Sequence, residues 1–502
     1  MTSFHAAPKG VVDINERQVI TPEQVDLAEK LKNEANVFFK ERKYDDAIRL
    51  YTEAIELNPS VPAYYCNRAL AYINTEAFGY AIADADKALN LEPGFVKGYY
   101  RRATANMALL RLKESVRDFR MVVKRVPKDA DARKKLTECE KMHRRIEFEK
   151  AIEFDEEGRS VADQIDLPSM TVDDSYDGPR LATENGHGVI DKAFVDALLT
   201  RFRDQKAIHR KYAYQIILEA KKMFTEQPSL VDITIPEEAR LTVCGDVHGQ
   251  LFDFLNIFDL NGYPSPTNWY LFNGDFVDRG SFSLEIILIL FAYKWLYPNS
   301  VYLARGNHET NNMNKVYGFE GEVKAKFSET MFKLFAETFN ALPLGHLIQE
   351  KIFVVHGGLF SRDNVSLDEI RQINRFMQPP TEGLMCEILW SDPQPLPGRR
   401  PSKRGTGIEF GPDVTENFLN HNNLDLLIRS HEVKDEGYVI EHNGKCVTVF
   451  SAPNYCDRMD NLGAYIHITH DRKVSYHTFK AVPHPNNVKP MQYASQFSQF
   501  GL

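Results

Sequence analysis

The 502-residue chain has little cysteine. Its six residues, Cys66, Cys139, Cys244, Cys386, Cys446 and Cys456, form no Cys-x-x-Cys pair. With no such pair and no secretory signal read at the start, the thiols are expected to be reduced, in cytoplasm and nucleus. Long apolar runs are also missing. The most apolar stretch, 282–297, is broken by Glu285 and Lys294 and is too short to span a bilayer, so it predicts a buried helix and no stable membrane insertion. No Gly-rich loop ends in GK[ST], which removes phosphate-loop kinases and NTPases. Cys456 has Arg458 two residues on, not the Cys-x5-Arg of a tyrosine phosphatase. No nucleic-acid partner is expected, and a monomer is. At 43% hydrophobic and 26% charged, the composition has room for two or three domains.

Charge is distributed unevenly behind the net −9. Residues 96–150 hold seventeen Lys or Arg against eight Asp or Glu, and residues 151–178 hold nine acids against Arg159 alone. A basic arm followed by an acidic connector marks a domain boundary.

An internal repeat fills the first part. Pro59, Pro93 and Pro127 stand thirty-four residues apart, as do Ala35, Ala69 and Ala103, then Ala47, Ala81 and Ser115, then Ala54, Ala88 and Val122. That is the tetratricopeptide period. Small residues let the paired helices approach, Tyr44, Phe78 and Leu112 sit near the intervening turns, and each proline ends a second helix. Three repeats over 28–129 and a polar capping helix over 134–149 predict a short superhelix with a concave face. Lys32, Asn36, Asn67, Lys97 and Arg101 fall on the first helices, Lys32 with Asn36 and Lys97 with Arg101 at i,i+4 spacing. The set resembles the two-carboxylate clamp of co-chaperone repeats, which implies the acidic C-terminal tail of the ninety-kilodalton heat-shock chaperones as partner.

Beyond residue 178 apolar runs of strand length are each followed by a turn carrying a ligand-type side chain: Asp246 and His248 in GDVHG, Asp275 in GDFVDRG, Asn307 in GNHE, His356 in HGG and His431 in RSHE. The ends of parallel strands are where α/β sheets place their ligands. Asp246 and His248 are assigned to one metal and Asn307, His356 and His431 to a second, with Asp275 bridging. Mixed oxygen and nitrogen ligands without thiolate suit Mn, Fe or Zn, two ions about 3.5–4 Å apart that activate a water for attack on phosphorus. His308 is kept off the metals as the acid that protonates the leaving group, oriented by Asp278. Arg279 and Arg375 are expected to hold phosphoryl oxygens, with Asn307 and His431 as further substrate contacts, while Arg305 ties the turn around Asn307.

The motifs GDVHGQ (245–250), GDFVDRG (274–280), RGNHE (305–309), HGG (356–358), WSDP (390–393), RSHE (429–432) and SAPNYC (451–456) resemble the signature set of metallo-dependent serine/threonine protein phosphatases, over roughly residue 21 to the C-terminus. The resemblance implies a central β-sandwich flanked by helices, so the fold expected is an all-α tetratricopeptide superhelix followed by an α/β metallophosphoesterase domain. It also implies hydrolysis of phosphoserine and phosphothreonine in proteins without a phosphoenzyme, Tyr455 beside the substrate groove, and a resting block by the repeats and a C-terminal helix (492–502) that chaperone tails or fatty acids relieve. One residue departs from it: Asn74 stands where better-known members carry arginine, so a basic contact is missing. The domain order expected is a flexible N-terminus to residue 25, repeats and cap over 26–150, an acidic linker over 151–180, the catalytic domain over 181–480 and an autoinhibitory tail over 481–502. The alternative reading is a non-enzymatic co-chaperone adaptor with an inert phosphatase domain.

Overall fold

A computed structural model describes residues 20–155, 160–184, 187–485, 487, 492 and 493. The chain divides into two compact units, 1–107 with 111–141 and 108–110 with 142–502. The tail helix expected over 492–502 lies outside the described residues apart from Gln492 and Tyr493.

The first unit is three helical hairpins, α1 (Pro22–Lys40) with α2 (Tyr44–Leu57), α3 (Pro62–Asn74) with α4 (Phe78–Leu91), and α5 (Val96–Ala108) with α6 (Leu112–Arg125), then α7 (Ala130–Asp155). The thirty-four-residue period reappears in three dimensions. Arg42, Glu76 and Leu110 turn each hairpin with left-handed φ of 62°, 56° and 54°. Arg68 and Arg102 on the first helices pair with Asp84 and Asp118 on the second helices at 2.7 Å each. The repeated alanines are fully buried, which is what lets paired helices close together. α1 begins before the expected residue 26, because Thr21 and Gln24 cap it reciprocally, Gln24 N donating to Thr21 Oγ1 at 3.3 Å and Thr21 N to Gln24 Oε1 at 2.9 Å.

In the second unit a hairpin, β1 (Ala182–Glu184) and β2 (His187–Val189), precedes α8 (Lys192–Arg203) and α9 (Arg210–Glu226). Strands β3 (Leu230–Ile233), β4 (Arg240–Cys244), β5 (Asn268–Phe272), β6 (Val301–Leu303), β7 (Gly345–Ile348) and β8 (Ile352–Val355) follow, with α10 (Leu251–Asn261) and α11 (Ser283–Leu296) between them. Three short strands, β9 (Asp392–Pro393), β10 (Arg399–Pro401) and β11 (Ile408–Phe410), form a sheet of their own. The chain ends its regular structure with β12 (Leu426–Arg429), β13 (Tyr438–Glu441), β14 (Cys446–Val449), β15 (Gly463–Thr469) and β16 (Val474–Phe479).

Two large sheets result, a six-stranded one in the order β13-β14-β12-β8-β7-β3 and a five-stranded one in the order β16-β15-β4-β5-β6. Val231, Leu241, Leu271, Val354, Ile428 and Ile466, drawn from both sheets, form the core between them. Helices cover each outer face over separate apolar clusters. α11 is largely apolar and, apart from Glu285, buried through its first three turns, as the 282–297 run predicts.

The segment 160–180, expected as a linker, is strapped to this unit instead. Val161, Ile165, Leu167, Met170 and Val172 pack on the core, and Glu337 accepts from Ser160 Oγ at 2.7 Å, Val161 N at 2.6 Å and Lys221 Nζ at 2.6 Å. The apolar residues interleaved with the acids decide the outcome; the acids face water.

Candidate active site

Each ligand-type side chain stands just past the C-terminal end of a strand: Asp246 and His248 after β4, Asp275 after β5, Asn307 after β6, His356 after β8 and His431 after β12. β4, β5 and β6 run parallel in one sheet, and β8 and β12 run parallel in the other. The site therefore lies where the C-terminal edges of two sheets meet. Gly274 and Gly306 bring two of the turns together: a Cβ on Gly306 would stand 2.3 Å from Asp275 Oδ1, and one on Gly274 would stand 2.6 Å from the Gly306 backbone. The turns are strained, with left-handed φ at His248 (41°), Asp275 (52°), Asp278 (72°), Arg279 (67°) and His431 (72°), none of them glycine. Strain of this kind persists where surrounding structure over-determines it, and here hydrogen bonds do so. The buried Glu309 carboxylate accepts from the backbone N–H of Asp275 at 2.8 Å, Phe276 at 2.9 Å and Gly306 at 2.9 Å, and Asp275 Oδ1 accepts from His308 N at 2.9 Å.

The side chains aim lone pairs at one another. His248 Nδ1 lies 2.9 Å from the Val277 carbonyl and His356 Nδ1 lies 2.8 Å from the Asn273 carbonyl, contacts that hold the proton on Nδ1 and turn a bare Nε2 inward. His248 Nε2 then sits 3.4 Å from Asp275 Oδ2 and 3.7 Å from Asp246 Oδ2; His356 Nε2 sits 3.3 Å from Asp275 Oδ2 and 3.2 Å from His431 Nδ1. The inward end of the Asn307 amide lies 2.9 Å from His356 Nε2, 3.0 Å from His431 Nδ1 and 3.2–3.3 Å from the Asp275 carboxylate. Oxygen-inward, Asn307 adds one more acceptor to a cluster of acceptors.

Burial leaves these groups reluctant to carry charge unaided. It pushes the Asp275 carboxyl up to about 8 and Asp246 up to about 7, and it pulls His248 and His431 well below the usual imidazole range. A converging set of buried acceptor atoms is what a divalent cation neutralises. Two groups of nitrogen and carboxylate atoms, His248, Asp275, His308 and Asp275, His356, His431, each lie within 4.8 Å of one another, and they share Asp275. The residues present would fit two ions, with Asp275 common to both groups.

Around this centre, His308 Nδ1 and Asp278 Oδ2 are 2.8 Å apart, and Asp278 is held by Phe319 N at 2.9 Å and Asn314 Nδ2 at 3.1 Å. The Arg279 guanidinium stacks on Tyr317, 3.9 Å from its ring centre. Tyr455 lies 5.3 Å from the His248 ring, centre to centre, in a turn where Asn454, Cys456 and Asp457 all take left-handed φ.

One predicted residue is misplaced. Arg375 is 3% exposed and its guanidinium is spent on the fold: Nε donates to Ala341 O at 2.9 Å, Nη1 to Ser229 Oγ at 3.1 Å, and Nη2 to Phe224 O at 2.7 Å and Gln227 O at 2.5 Å. It is a structural arginine, and nothing turns it toward the centre. Arg404, with no role assigned from the sequence, stands beside the centre instead. Its Nη2 donates to the His431 carbonyl at 2.8 Å, and its charge, with that of Arg279, opposes the upward push of burial on Asp275. A basic residue in the Gly-rich stretch SKRGTG (402–407) was the available signal. Arg305 is structural as expected, donating to Glu309 O, Met377 O and Asn340 Oδ1. Cys139 does stand six residues before Arg145, the tyrosine-phosphatase spacing. It is inside α7, fully buried, its thiol pushed up to about 11 by desolvation, and forms no phosphate loop.

On the first unit, Asn67 Nδ2 donates to Asn36 Oδ1 at 3.3 Å, and Lys97 and Arg101 both bear on Cys66, next to Asn67. The Arg101 Nε is buried and meets no partner among the described residues. Lys32 pairs with Glu29 on its own helix. Asn74 donates to the Leu70 carbonyl at 2.8 Å.

The two-sheet domain with its edge of His, Asp and Asn ligands is a calcineurin-like phosphoesterase, and the model of the family described in those words matches residues 239–435. Models described as a TPR repeat and as the PPP5 TPR repeat region match 35–75 and 136–232. The chain is 55% identical over 476 residues to human serine/threonine-protein phosphatase 5, covering 95% of this chain and 94% of that protein. To serine/threonine-protein phosphatase T of Aspergillus oryzae it is 53% identical over 472 residues, covering 94% and 97%. A solved protein serine/threonine phosphatase from Saccharomyces cerevisiae, described as similar to human phosphatase PP5, superposes with a TM-score of 0.58 at 44% identity, covering 61% of this chain and all of that one. The chain belongs to the serine/threonine-protein phosphatase 5 family and is a protein serine/threonine phosphatase with an N-terminal tetratricopeptide region.

Proposed function

We propose that the chain hydrolyses phosphoserine and phosphothreonine in proteins with His308 as proton donor, and the observation that carries this is the His308–Asp278 pair at 2.8 Å beside the cluster of metal-ligand atoms. Asp246, His248, Asp275, Asn307, His356 and His431 would hold two divalent ions, Mn or an Fe/Zn pair; when bound, these supply Lewis-acid activation of water and of the phosphoryl group. Asp278 fixes the proton of His308 on Nδ1 and favours the imidazolium. As the P–O ester bond breaks, its electron pair passes to the seryl or threonyl oxygen, which takes the proton that His308 holds. Arg279 and Arg404 flank Asp275 and would grip the phosphoryl oxygens, since a guanidinium stays charged and matches their geometry. Stacking on Tyr317 fixes the angle of Arg279. Tyr455 borders the entrance as a substrate contact.

Regulation follows from the repeats. Lys32, Asn36, Asn67, Lys97 and Arg101 would take the two carboxylates of an acidic chaperone tail, which the unpartnered Arg101 Nε supports. The resting state is blocked by the repeat region and the C-terminal tail, and chaperone tails or fatty acids release it. The protein works as a monomer in cytoplasm and nucleus.

Phosphothreonine-peptide hydrolysis with Mn²⁺ tests this reading. His308→Asn should lose turnover by two to four orders of magnitude, about the worth of a positioned acid. Deletion of residues 1–155, which keeps the 160–180 segment packed on the catalytic unit, should raise turnover severalfold. A truncated protein without turnover would leave the inert-adaptor reading standing, and one no faster than the full chain would remove autoinhibition.

A further inference from the structure

We infer that Asp392, in the WSDP stretch, is the positioning residue that sets Arg404 in its phosphate-facing orientation. Asp392 is fully buried, and its carboxylate is shared between two arginines. Oδ2 accepts from Arg404 Nε at 2.7 Å, while Oδ1 accepts from Arg429 Nη2 at 2.8 Å and lies 3.4 Å from Arg404 Nη2. Arg404 Nη2 also donates to the His431 carbonyl. One edge of the guanidinium is thus pinned on two sides, by a carboxylate and by the backbone of a ligand-bearing turn. Pinning from Nε fixes the plane of the group, because Nε lies at the root of the fork.

The carboxylate is itself fixed. Arg429 is 0% exposed and anchors it from the other side, with Nε on the Gly357 carbonyl at 2.6 Å, next to His356, and Nη1 on Glu432 at 2.9 Å. Asp392 pairs with Glu409 across β9 and β11, and Glu409 in turn accepts from Lys403 N at 3.2 Å, beside Arg404. Strand, carboxylate and arginine therefore form one chain from the three-stranded sheet to the catalytic edge. Even pinned, the Arg404 side chain is 25% exposed, and without Asp392 its four rotatable bonds would be free to turn it into solvent.

The inference rests on Arg404 as a phosphate ligand, and a double-mutant cycle on the full chain with Mn²⁺ separates the two. Arg404→Ala is expected to lower kcat/KM by about 10²-fold on a phosphothreonine peptide. Asp392→Asn keeps the shape but not the charge, and should lower it about tenfold and weaken both inhibition and thermal stabilisation by inorganic phosphate. Added to Arg404→Ala, Asp392→Asn should cost less than twofold more; added to Arg279→Ala, it should cost its full factor. If Asp392→Asn folds poorly through the loss at Arg429, Arg404→Lys replaces it, because it retains charge, leaves Arg429 untouched and lacks Nε; it should lose at least tenfold. Arg404→Ala without loss would defeat the reading of Arg404 and the inference with it. A normal Arg404→Ala loss with full multiplication by Asp392→Asn, or with Arg404→Lys at wild-type rate, would overturn the inference alone.

Discussion

Arg375 and Arg404 are both arginines near the catalytic edge, and replacing each by alanine should break a different property. In Arg375→Ala, Ala341 O, Ser229 Oγ, Phe224 O and Gln227 O lose a charged donor in a place water does not reach. A hydrogen bond to a charged group contributes about 1.5–3 kcal/mol, but four on one guanidinium do not add. Stranding a buried neutral acceptor costs about 1–3 kcal/mol, and at about 2–4 °C per kcal/mol for a large domain the melting temperature should fall by several degrees. Turnover per folded molecule should stay within about threefold, since Arg375 reaches the ligand turns through its carbonyl, which accepts from Arg305 Nη1 at 3.2 Å and survives the substitution.

Arg404→Ala should show the reverse. Asp392 keeps Arg429, so the thermal loss is small, while the missing charge at the phosphoryl oxygens costs about 10²–10³ in kcat. Thermal denaturation with single-substrate kinetics on both variants, corrected for folded fraction, resolves the two axes. An Arg375→Ala protein with unchanged melting temperature and a hundredfold loss of kcat would refute the assignment and restore Arg375 to the substrate.

Asp275→Asn should abolish Mn²⁺-dependent turnover, because the shared carboxylate is the one group common to both ligand clusters, and should also remove the stabilisation that Mn²⁺ gives in thermal denaturation. For the native protein, metal at a hundredfold excess over its Kd should add about 2.7 kcal/mol, and chelation should withdraw it. Lys294 is 1% exposed and donates to the carbonyls of Pro298 at 2.7 Å and Val301 at 2.9 Å, with burial pulling its pKa down to about 8. The unfolded chain keeps that proton to about pH 10.4, so between pH 8 and 10.4 the unfolded state binds more protons and stability from this group rises with pH, by about 3 kcal/mol across the window. Denaturant midpoints for Lys294→Met should lack that rise, and a parallel pH profile would contradict it. Lys97→Ala with Arg101→Ala should weaken an acidic chaperone-tail peptide at least tenfold by calorimetry; equal affinity would remove the clamp.

Legibility in the sequence followed the range of the forces involved. The repeats could be read because a thirty-four-residue period is a statement about local packing: alanines at fixed offsets are buried whatever the rest of the chain does. The ligands could be read because each sits in a turn whose residue types serve one purpose. The meeting of two sheets came only from the family resemblance and from no local pattern, since the sheets of β4, β5, β6 and of β8, β12 pack through a core that includes Val231, Leu241 and Ile428. The arginine error has the same root. Arg375 and Arg404 stand in comparable polar surroundings along the chain, and the difference between them is which carbonyls and carboxylates lie within 3 Å after folding. Arg375 finds Phe224, Gln227 and Ala341, contacts 34 to 151 residues away that no local pattern announces. Arg404 finds Asp392 twelve residues before it and the carbonyl of a ligand twenty-seven residues after it. A buried arginine whose guanidinium is spent on backbone carbonyls and a serine hydroxyl is held by the fold, whereas one pinned along a single edge beside an acceptor cluster is aimed; that distinction is geometric and belongs to the structure.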